Sequence, residues 1–312
     1  MKYLSILRPV NLLIVAVTML MMRFLLISPA AAKFGLQLTL TNWEFCVLIL
    51  SCVLIAAGGY VVNDLYDVAA DDVNKPGVNL IGRVISTSHG WWLYAWTSGL
   101  GLLAGLFSSL AAGDIKLISI QIVAAVSLYL YAASLKRITL LGNVLVAIIV
   151  ALSVVTPAVF EPSVYALDRP ADWYAAGFIW TWVLIMTLFS FLLTLVREIV
   201  KDIEDQEGDK LREDATIALV WGTEAARGVA IALLTTTLGL VIWGAILMQG
   251  LPYVNGWGLI AYAAGVALLL VVDSIILLRA GNKKQFHRAS TMLKVTMVAG
   301  LLFLVFFNIN IF

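Results

Sequence analysis

The sequence predicts an all-α polytopic membrane protein with nine transmembrane helices. Of its 312 residues, 62% are hydrophobic and only 12% are charged, and the mean hydropathy is +0.99. Soluble domains carry about 25% charged and about 45–50% apolar residues, so this composition excludes a water-soluble globule. The chain also contains nine apolar runs long enough, at about 20 residues, to cross a bilayer.

The nine expected spans follow one another without a long linker or a soluble insertion, so we expect one transmembrane domain over residues 1–312. Their approximate positions are 9–28, 43–63, 91–112, 115–133, 141–160, 174–197, 225–249, 256–279 and 291–311.

The charges indicate the orientation of the spans. With 20 Lys and Arg against 19 Asp and Glu, the net charge is +1, so nothing points to nucleic acid as a partner. The basic residues nevertheless fall mostly on one side, the exceptions being Arg23, Lys33, Lys116 and Arg169. The positive-inside rule then predicts a cytoplasmic N-terminus and, with nine spans, an external C-terminus.

The acidic residues concentrate in two short windows on the same predicted side, after the second and sixth spans. The first window holds Asp64, Asp67, Asp71 and Asp72, and the second holds Glu198, Asp202, Glu204, Asp205, Glu207, Asp209, Glu213 and Asp214. If the spans continue as helices through both windows, acids spaced by three and four residues share one face in each. Like charges stacked in this way require solvent or a bound cation.

Carboxylate and amide oxygens are ligands that Mg²⁺ accepts together with water and substrate phosphates. We therefore expect a Mg²⁺ and diphosphate site between the two windows. Basic side chains on the same side are candidates to bind the diphosphate oxygens, namely Lys75, Arg83, Lys136, Arg137, Arg197 and Lys201.

The wording of the two windows resembles the two signatures of the UbiA superfamily of intramembrane prenyltransferases. The first reads N-D-x-x-D-x-x-x-D over residues 63–71, followed by Asn74-Lys75-Pro76, and the second reads K-D-x-E-D-x-x-G-D over residues 201–209. Weaker matches are Arg8-Pro9, Lys136-Arg137 and Gly142-Asn143. One departure is that Gly77-Val78-Asn79-Leu80 replaces the usual Arg-Pro, so Arg83 is the candidate to take over that arginine's role.

The resemblance implies a bundle of nine helices around a central cavity, with an enzyme site at its cytoplasmic mouth. It implies a Mg²⁺ cofactor, an isoprenyl diphosphate donor and a lipophilic acceptor, both within the membrane. The metal ligands carried over are Asn63, Asp67, Asp71, Asp202, Asp205 and Asp209, with Asp67, Asp71, Asp202 and Asp205 as catalytic residues. The candidate diphosphate contacts are Asn63, Asp64, Lys75, Arg83, Lys136, Arg197 and Lys201.

The second motif is most similar to that of the digeranylgeranylglyceryl phosphate synthase branch, which transfers a geranylgeranyl group to geranylgeranylglyceryl phosphate. Three alternatives stay open at this point. An aromatic acceptor of quinone biosynthesis is compatible with the same motifs, as is a UbiA-type terpene cyclase. A cation-coupled transporter also keeps acids on membrane helices, although transporter sites lie near the bilayer midplane rather than at helix ends.

Overall fold

The structure is a computed structural model that describes residues 2–74, 76–165, 170–211, 214–248 and 256–311. Within these residues nine helices are long and apolar enough to cross a membrane, which confirms the predicted number. They are α1 (Pro9–Phe34), α2 (Asn42–Tyr66), α3 (Thr87–Ala111), α4 (Ile118–Ala133), α5 (Leu141–Val159), α6 (Pro170–Glu204), α7 (Thr223–Met248), α8 (Gly256–Arg279) and α9 (Lys283–Ile311).

The first two helices begin at local signals in the sequence. Helix α1 follows Arg8, whose φ of 51° and ψ of 60° are left-handed, and starts at Pro9, whose fixed φ suits the first helical turn. Helix α2 begins with a capping box in which Glu44 N donates to Thr41 Oγ1 at 3.3 Å and Thr41 N donates to Glu44 Oε2 at 2.7 Å. These caps fix where each span enters the bundle.

Helices α2 and α3 pack closely because a glycine lets their backbones approach. A Cβ on Gly101 would lie 2.8 Å from Ile55 Cγ1 and 3.1 Å from Ile55 N. Ser51 adds a hydrogen bond between the two helices, because its Oγ donates to the Gly101 carbonyl at 2.7 Å. Small residues at such contacts are typical of membrane helices, where packing replaces the hydrophobic effect as the driving force for association.

Buried charges at the opposite end of the bundle from the acidic windows are mutually paired. Arg23 on α1 forms an ion pair with Glu161, which follows α5, and both side chains are almost fully buried. The Glu161 carboxylate also accepts from Thr39 N at 2.5 Å, and the Arg23 guanidinium lies 4.6 Å from the centroid of the Phe45 ring. Pairing of this kind is what makes a buried charge tolerable.

The two acidic windows are not continuous helices, so the condition under which the acidic residues of each window would share one helical face is not met. Helix α2 ends at Tyr66, Asp67 adopts φ −98° and ψ 3°, and a separate short helix runs over Val68–Asn74. Helix α6 ends at Glu204, the chain bends at Asp205, and a second short helix runs over Gln206–Leu211. Because stacked like charges repel, each break lets the flanking carboxylates turn towards different partners.

Candidate active site: two acidic motifs at the mouth of a membrane cavity

Helices α1, α2, α4, α5, α6 and α9 surround a central cavity of about 340 Å³, within the range of small-molecule binding sites. Most of its wall is apolar, including Ile14, Ile55, Leu128 and Val150. Polar and charged side chains gather where α2 and α6 end, and these are Arg8, Asn63, Arg197, Glu198, Lys201 and Lys294. The cavity therefore combines an apolar interior with a charged mouth.

The two acidic motifs contact each other through Asn74, outside the residues that line the cavity. Its side-chain amide donates to the Asp205 carbonyl at 2.8 Å and accepts from Gly208 N at 2.9 Å. Lys283, at the start of α9, donates to the Asn74 carbonyl at 2.9 Å. The short helices Val68–Asn74 and Gln206–Leu211 are thereby joined to one another.

Gly208 makes this contact possible. A Cβ at this position would lie 2.3 Å from Asn74 Nδ2 and 2.7 Å from the Ala70 carbonyl oxygen. Since one of these neighbours is backbone, a side chain could be accommodated only by separating the two short helices. Gly208 of the second motif is therefore required so that the first motif can pack against it.

The carboxylates of the first motif each have a polar partner. Asn63 Nδ2 donates to Asp67 Oδ2 at 2.7 Å, and Arg8 donates to Asp64 Oδ1 at 2.7 Å. Asn79 Nδ2 donates both to Asp71 Oδ2 and to the Asp64 carbonyl, each at 2.9 Å. These amides and the arginine orient the acidic side chains at the junction between α2 and Val68–Asn74.

Lys136 lies between the motifs, in the turn that joins α4 to α5. It forms a buried ion pair with Asp67. Burial lowers the pKa of Lys136 to about 8, although the charges of Asp214, Asp71 and Asp209 act in the opposite direction. One ammonium group is thus close to carboxylates from both motifs.

The second motif carries an excess of negative charge. Burial is the main cause that raises the pKa of Asp209 to about 8, and the nearby carboxylates of Asp202, Asp214 and Asp205 raise it further. Asn143, in the first turn of α5, donates to Asp202 Oδ2 at 2.9 Å. An added positive charge in this region would relieve the repulsion among these groups.

Of the predicted site residues that the structure describes, only Asn63, Arg197 and Lys201 line the cavity. The others lie outside its lining, and these are Asp64, Asp67, Asp71, Arg83, Lys136, Asp202, Asp205 and Asp209. Arg83 pairs with Asp72 at 2.8 Å, with both side chains about half exposed, so it does not reach the mouth in this conformation. Arg197 and Lys201 line the cavity, but both donate to the buried Glu198, at 2.7 and 2.8 Å. Lys75 lies outside the described residues.

The donor set fits a hard divalent cation in its chemistry. Among the residues that the structure describes, no three carboxylate, histidine or cysteine side chains converge closely enough to hold a metal ion. Instead Asp67, Asp71 and Asp202 are held by Lys136, Asn79 and Asn143. The groups present are nevertheless oxygen donors in negative excess, which Mg²⁺ prefers, and their partners are side chains that can exchange for it.

Several residues that contact the acidic motifs or the cavity were not among the predicted site residues. Arg8 and Asn143 were visible only as weak motif matches, and each turns out to donate to a motif carboxylate. Asn74 and Asn79 carry no charge and lie beside the acidic residues, so spacing alone gave no reason to select them. Lys294 lies on an otherwise apolar span and reaches the cavity.

Three comparisons with known proteins agree with this architecture. A sequence model of the UbiA prenyltransferase family matches residues 15–298. Curated relatives include the digeranylgeranylglyceryl phosphate synthase of Saccharolobus solfataricus, 32% identical over 80% of this chain and 79% of the relative, and that of Sulfolobus acidocaldarius, 31% identical over 88% and 91%. The relative from Methanosphaera stadtmanae is 27% identical over 95% of both chains.

Solved structures show the same fold. A structure described as giving insights into digeranylgeranylglyceryl phosphate synthase in membranes is 25% identical, with a TM-score of 0.65 over 99% of this chain and 98% of that chain. A UbiA homologue from Archaeoglobus fulgidus bound to DMAPP and Mg²⁺ is 18% identical, with a TM-score of 0.56 over 98% of this chain and 99% of that chain.

Proposed function

Since the chain belongs to the UbiA prenyltransferase family and is an integral membrane prenyltransferase, we propose that it transfers a geranylgeranyl group from its diphosphate to geranylgeranylglyceryl phosphate. The product is an ether lipid. The single observation that supports this acceptor most is the similarity over most of the chain to curated digeranylgeranylglyceryl phosphate synthases. The cavity is compatible with it, because both substrates join a long apolar chain to an anionic head.

In this reaction the allylic C–O bond of the donor breaks and the diphosphate leaves with the electron pair. The hydroxyl oxygen of the acceptor forms a new C–O bond to the allylic carbon, and the departing diphosphate accepts the hydroxyl proton. A carbocation-like transition state requires that water be kept away. The apolar wall of the cavity, with Ile55, Leu128 and Val150, provides that exclusion, while the donor head stays at the polar mouth.

The acidic motifs are the proposed site of the donor diphosphate and its metal. Mg²⁺ held by the motif oxygens would neutralise the charge that develops on the departing diphosphate. The proposed ligands are Asn63, Asp67, Asp71, Asp202, Asp205 and Asp209. Lys136 is the basic residue best situated to donate to a diphosphate oxygen, because it already lies among carboxylates of both motifs.

The mouth of the cavity faces the cytoplasm in this proposal. The support comes from the distribution of basic residues, most of which lie on the side where α2 and α6 end. A water-soluble diphosphate head could then reach the site from the cytoplasm while the isoprenyl chain stays in the bilayer. Accessibility of Lys284, exposed at the start of α9, to a membrane-impermeant amine reagent would test this orientation in intact cells.

Pyrophosphate release by the purified protein in lipid, with Mg²⁺ and geranylgeranyl diphosphate, tests the proposal. The acceptor panel contains geranylgeranylglyceryl phosphate, an aromatic quinone precursor and no acceptor, with the lipid product identified by mass spectrometry. We expect release and a two-chain ether lipid only with the glycerophosphate. Release only with the aromatic acceptor, or without any acceptor, would contradict the proposed acceptor.

Two isosteric substitutions test the proposed site. Asp67→Asn and Asp202→Asn each remove one negative charge from a motif with little change in volume, so we expect turnover to be lost. Asp202→Asn should keep the thermal transition of the protein, whereas Asp67→Asn also removes the ion-pair partner of the buried Lys136 and should lower it. Asp114→Asn is the matched control, because Asp114 caps a short turn between α3 and α4, at the opposite end of the bundle. Near-normal rates for either motif variant would remove that residue from the site.

A further inference from the structure

Four basic side chains line one part of the central cavity, on α6, on α9 and just before α1. They are Arg8, Arg197, Lys201 and Lys294. Glu198 is buried between them, since it accepts from Arg197 and Lys201 and lies within electrostatic range of Lys294. The group is therefore a compact cationic cluster inside the cavity, and we call these four residues the cavity cations.

Among the residues that the structure describes, the cavity cations form no hydrogen bond with the aspartates proposed as metal ligands, although Lys201 is next to Asp202 in the chain. The hydrogen-bond partner of Arg197 and Lys201 is Glu198 rather than a motif aspartate. Arg8 bonds Asp64, at the edge of the first motif, and lies 4.8 Å from the centroid of the Tyr60 ring. The basic residue that enters the acidic group itself is Lys136, from a different part of the fold.

Two buried polar atoms beside the cluster have no hydrogen-bond partner among the described residues. Thr194 is only 3% exposed and lines the cavity, yet its Oγ1 has no hydrogen-bond partner among the described residues. The Nε of Arg197, one turn further along α6, is buried and likewise unpaired. Buried donors without partners are costly unless a ligand satisfies them.

The charges of the cluster are not balanced by protein groups. Arg8 pairs with Asp64, Arg197 and Lys201 share Glu198, and Lys294 forms no ion pair within the described part of the chain. Asp202 adds one negative charge within electrostatic range of Lys201. An excess of positive charge remains, which is unfavourable at the wall of a largely apolar cavity. A phosphate monoester, which carries about −1.5 to −2 at neutral pH, matches that excess.

We infer that the cavity cations bind the phosphate group of the acceptor lipid, so that the cavity has one anion site for the acceptor beside the acidic, metal-dependent site for the donor. This inference rests on the proposed function. In geranylgeranylglyceryl phosphate the reacting hydroxyl and the phosphate are on adjacent carbons of the glycerol. Anchoring the phosphate at the cavity cations therefore holds the hydroxyl a few bonds away, facing the allylic carbon of the donor.

The arrangement also assigns a role to Thr194. Its hydroxyl lies one helical turn inward from Arg197 and Glu198, on the side of the cavity that receives the apolar chains. That is the level of the glycerol carbons when the phosphate is bound by the cations. The Thr194 hydroxyl donates to a glycerol oxygen of the acceptor and acts as a positioning residue.

The test compares two acceptors that differ only in the phosphate: geranylgeranylglyceryl phosphate and geranylgeranylglycerol, each with geranylgeranyl diphosphate and Mg²⁺. The key variant is Lys294→Gln, because this lysine has no carboxylate partner whose loss would complicate the result. We expect its KM for the phosphorylated acceptor to rise about ten-fold to a hundred-fold, the worth of a hydrogen bond to a charged group. The KM for the donor and for the unphosphorylated acceptor should not change.

Two further variants keep the test interpretable. Lys294→Arg retains the charge and should recover most of the lost acceptor affinity. Lys284→Gln removes an exposed lysine from the same helix and should leave every KM as in the wild type. Thermal transitions recorded for all three variants ensure that a change in KM is not a loss of folded protein.

The outcomes separate this inference from the proposed function. A rise in the donor KM with an unchanged acceptor KM would overturn the inference and assign the cavity cations to the donor diphosphate. Equal use of both acceptors by the wild type would also overturn it, while leaving prenyl transfer to a glycerol lipid intact. Transfer to neither glycerol lipid would refute the proposed function and the inference together.

Discussion

Replacing Gly208 by alanine tests whether contact between the two acidic motifs is required for activity. The new Cβ would lie 2.3 Å from Asn74 Nδ2 and 2.7 Å from the Ala70 carbonyl oxygen, so the short helices must move apart. The movement breaks the two hydrogen bonds of the Asn74 amide, to the Asp205 carbonyl and from Gly208 N. Of the spans, α9 touches this contact through Lys283, which donates to the Asn74 carbonyl.

The cost of the substitution follows from these contacts. Two lost hydrogen bonds are worth about 1–3 kcal/mol in total, and overpacking adds about 1–3 kcal/mol. The higher helix propensity of alanine offsets at most about 1 kcal/mol. A net cost of about 3 kcal/mol shifts the docking equilibrium of the two short helices by roughly 150-fold. We expect kcat/KM for the donor to fall at least about ten-fold.

The assay is the initial rate of pyrophosphate release over a series of Mg²⁺ concentrations, with the thermal transition measured in parallel. Gly208→Ala should require more Mg²⁺ for half-maximal rate, while the transition of the membrane bundle stays close to that of the wild type. Gly228→Ala on α7 is the matched control, since no atom lies within 4 Å of its added Cβ. Activity within two-fold of the wild type for Gly208→Ala would refute the reasoning.

Three further predictions address charges elsewhere in the molecule. Lys136→Met removes the ammonium group between the motifs and leaves the buried Asp67 without its ion pair. We expect kcat/KM for geranylgeranyl diphosphate to drop about 100-fold or more in steady-state assays. A fall of less than three-fold would exclude a role of Lys136 in diphosphate binding. Arg83→Ala removes an exposed ion pair, and such pairs contribute little, so rates should stay within about two-fold; a large loss would mean that Arg83 reaches the site during turnover. Glu161→Gln leaves Arg23 buried without a counter-charge and should destabilise the fold by about 3–5 kcal/mol, seen as a lower thermal transition with kcat nearly unchanged in the surviving folded fraction; an unchanged transition would contradict the role assigned to this pair.

The sequence was sufficient to predict the spans because a bilayer requires long apolar helices. Irregular backbone in lipid would leave polar groups without hydrogen bonds. It was less informative at the ends of helices α2 and α6, where water is close and several backbone conformations are available. The spacing of Asp67 and Asp71 suits a continuous helix, yet the chain breaks at Asp67. The spacing of residues along a helix does not reveal the repulsion between neighbouring carboxylates, which favours the break. It also does not reveal the side chains that bind these carboxylates once the helix is broken.

Charged residues of the candidate site could be selected from the sequence. Neutral residues that contact groups distant in the sequence could not. The motif aspartates and Lys136 could be selected because charged residues are rare in this chain. Asn74 could not, since its role depends on Gly208, 134 residues away. Lys294 was ambiguous for a related reason: a lysine near the end of a span also marks topology, and only the packing of α9 against α1 and α6 brings it to the cavity.

The breaks after α2 and α6 explain how one site can serve a substrate that is half apolar and half highly charged. Both helices run in the same direction and end beside the charged part of the cavity wall. The helices break at Asp67 and Asp205, and the Asn74 amide joins the two short helices that follow. Lys283 attaches them to α9, the helix that also carries Lys294. The proposed donor site and the proposed acceptor anion site are therefore built on shared elements.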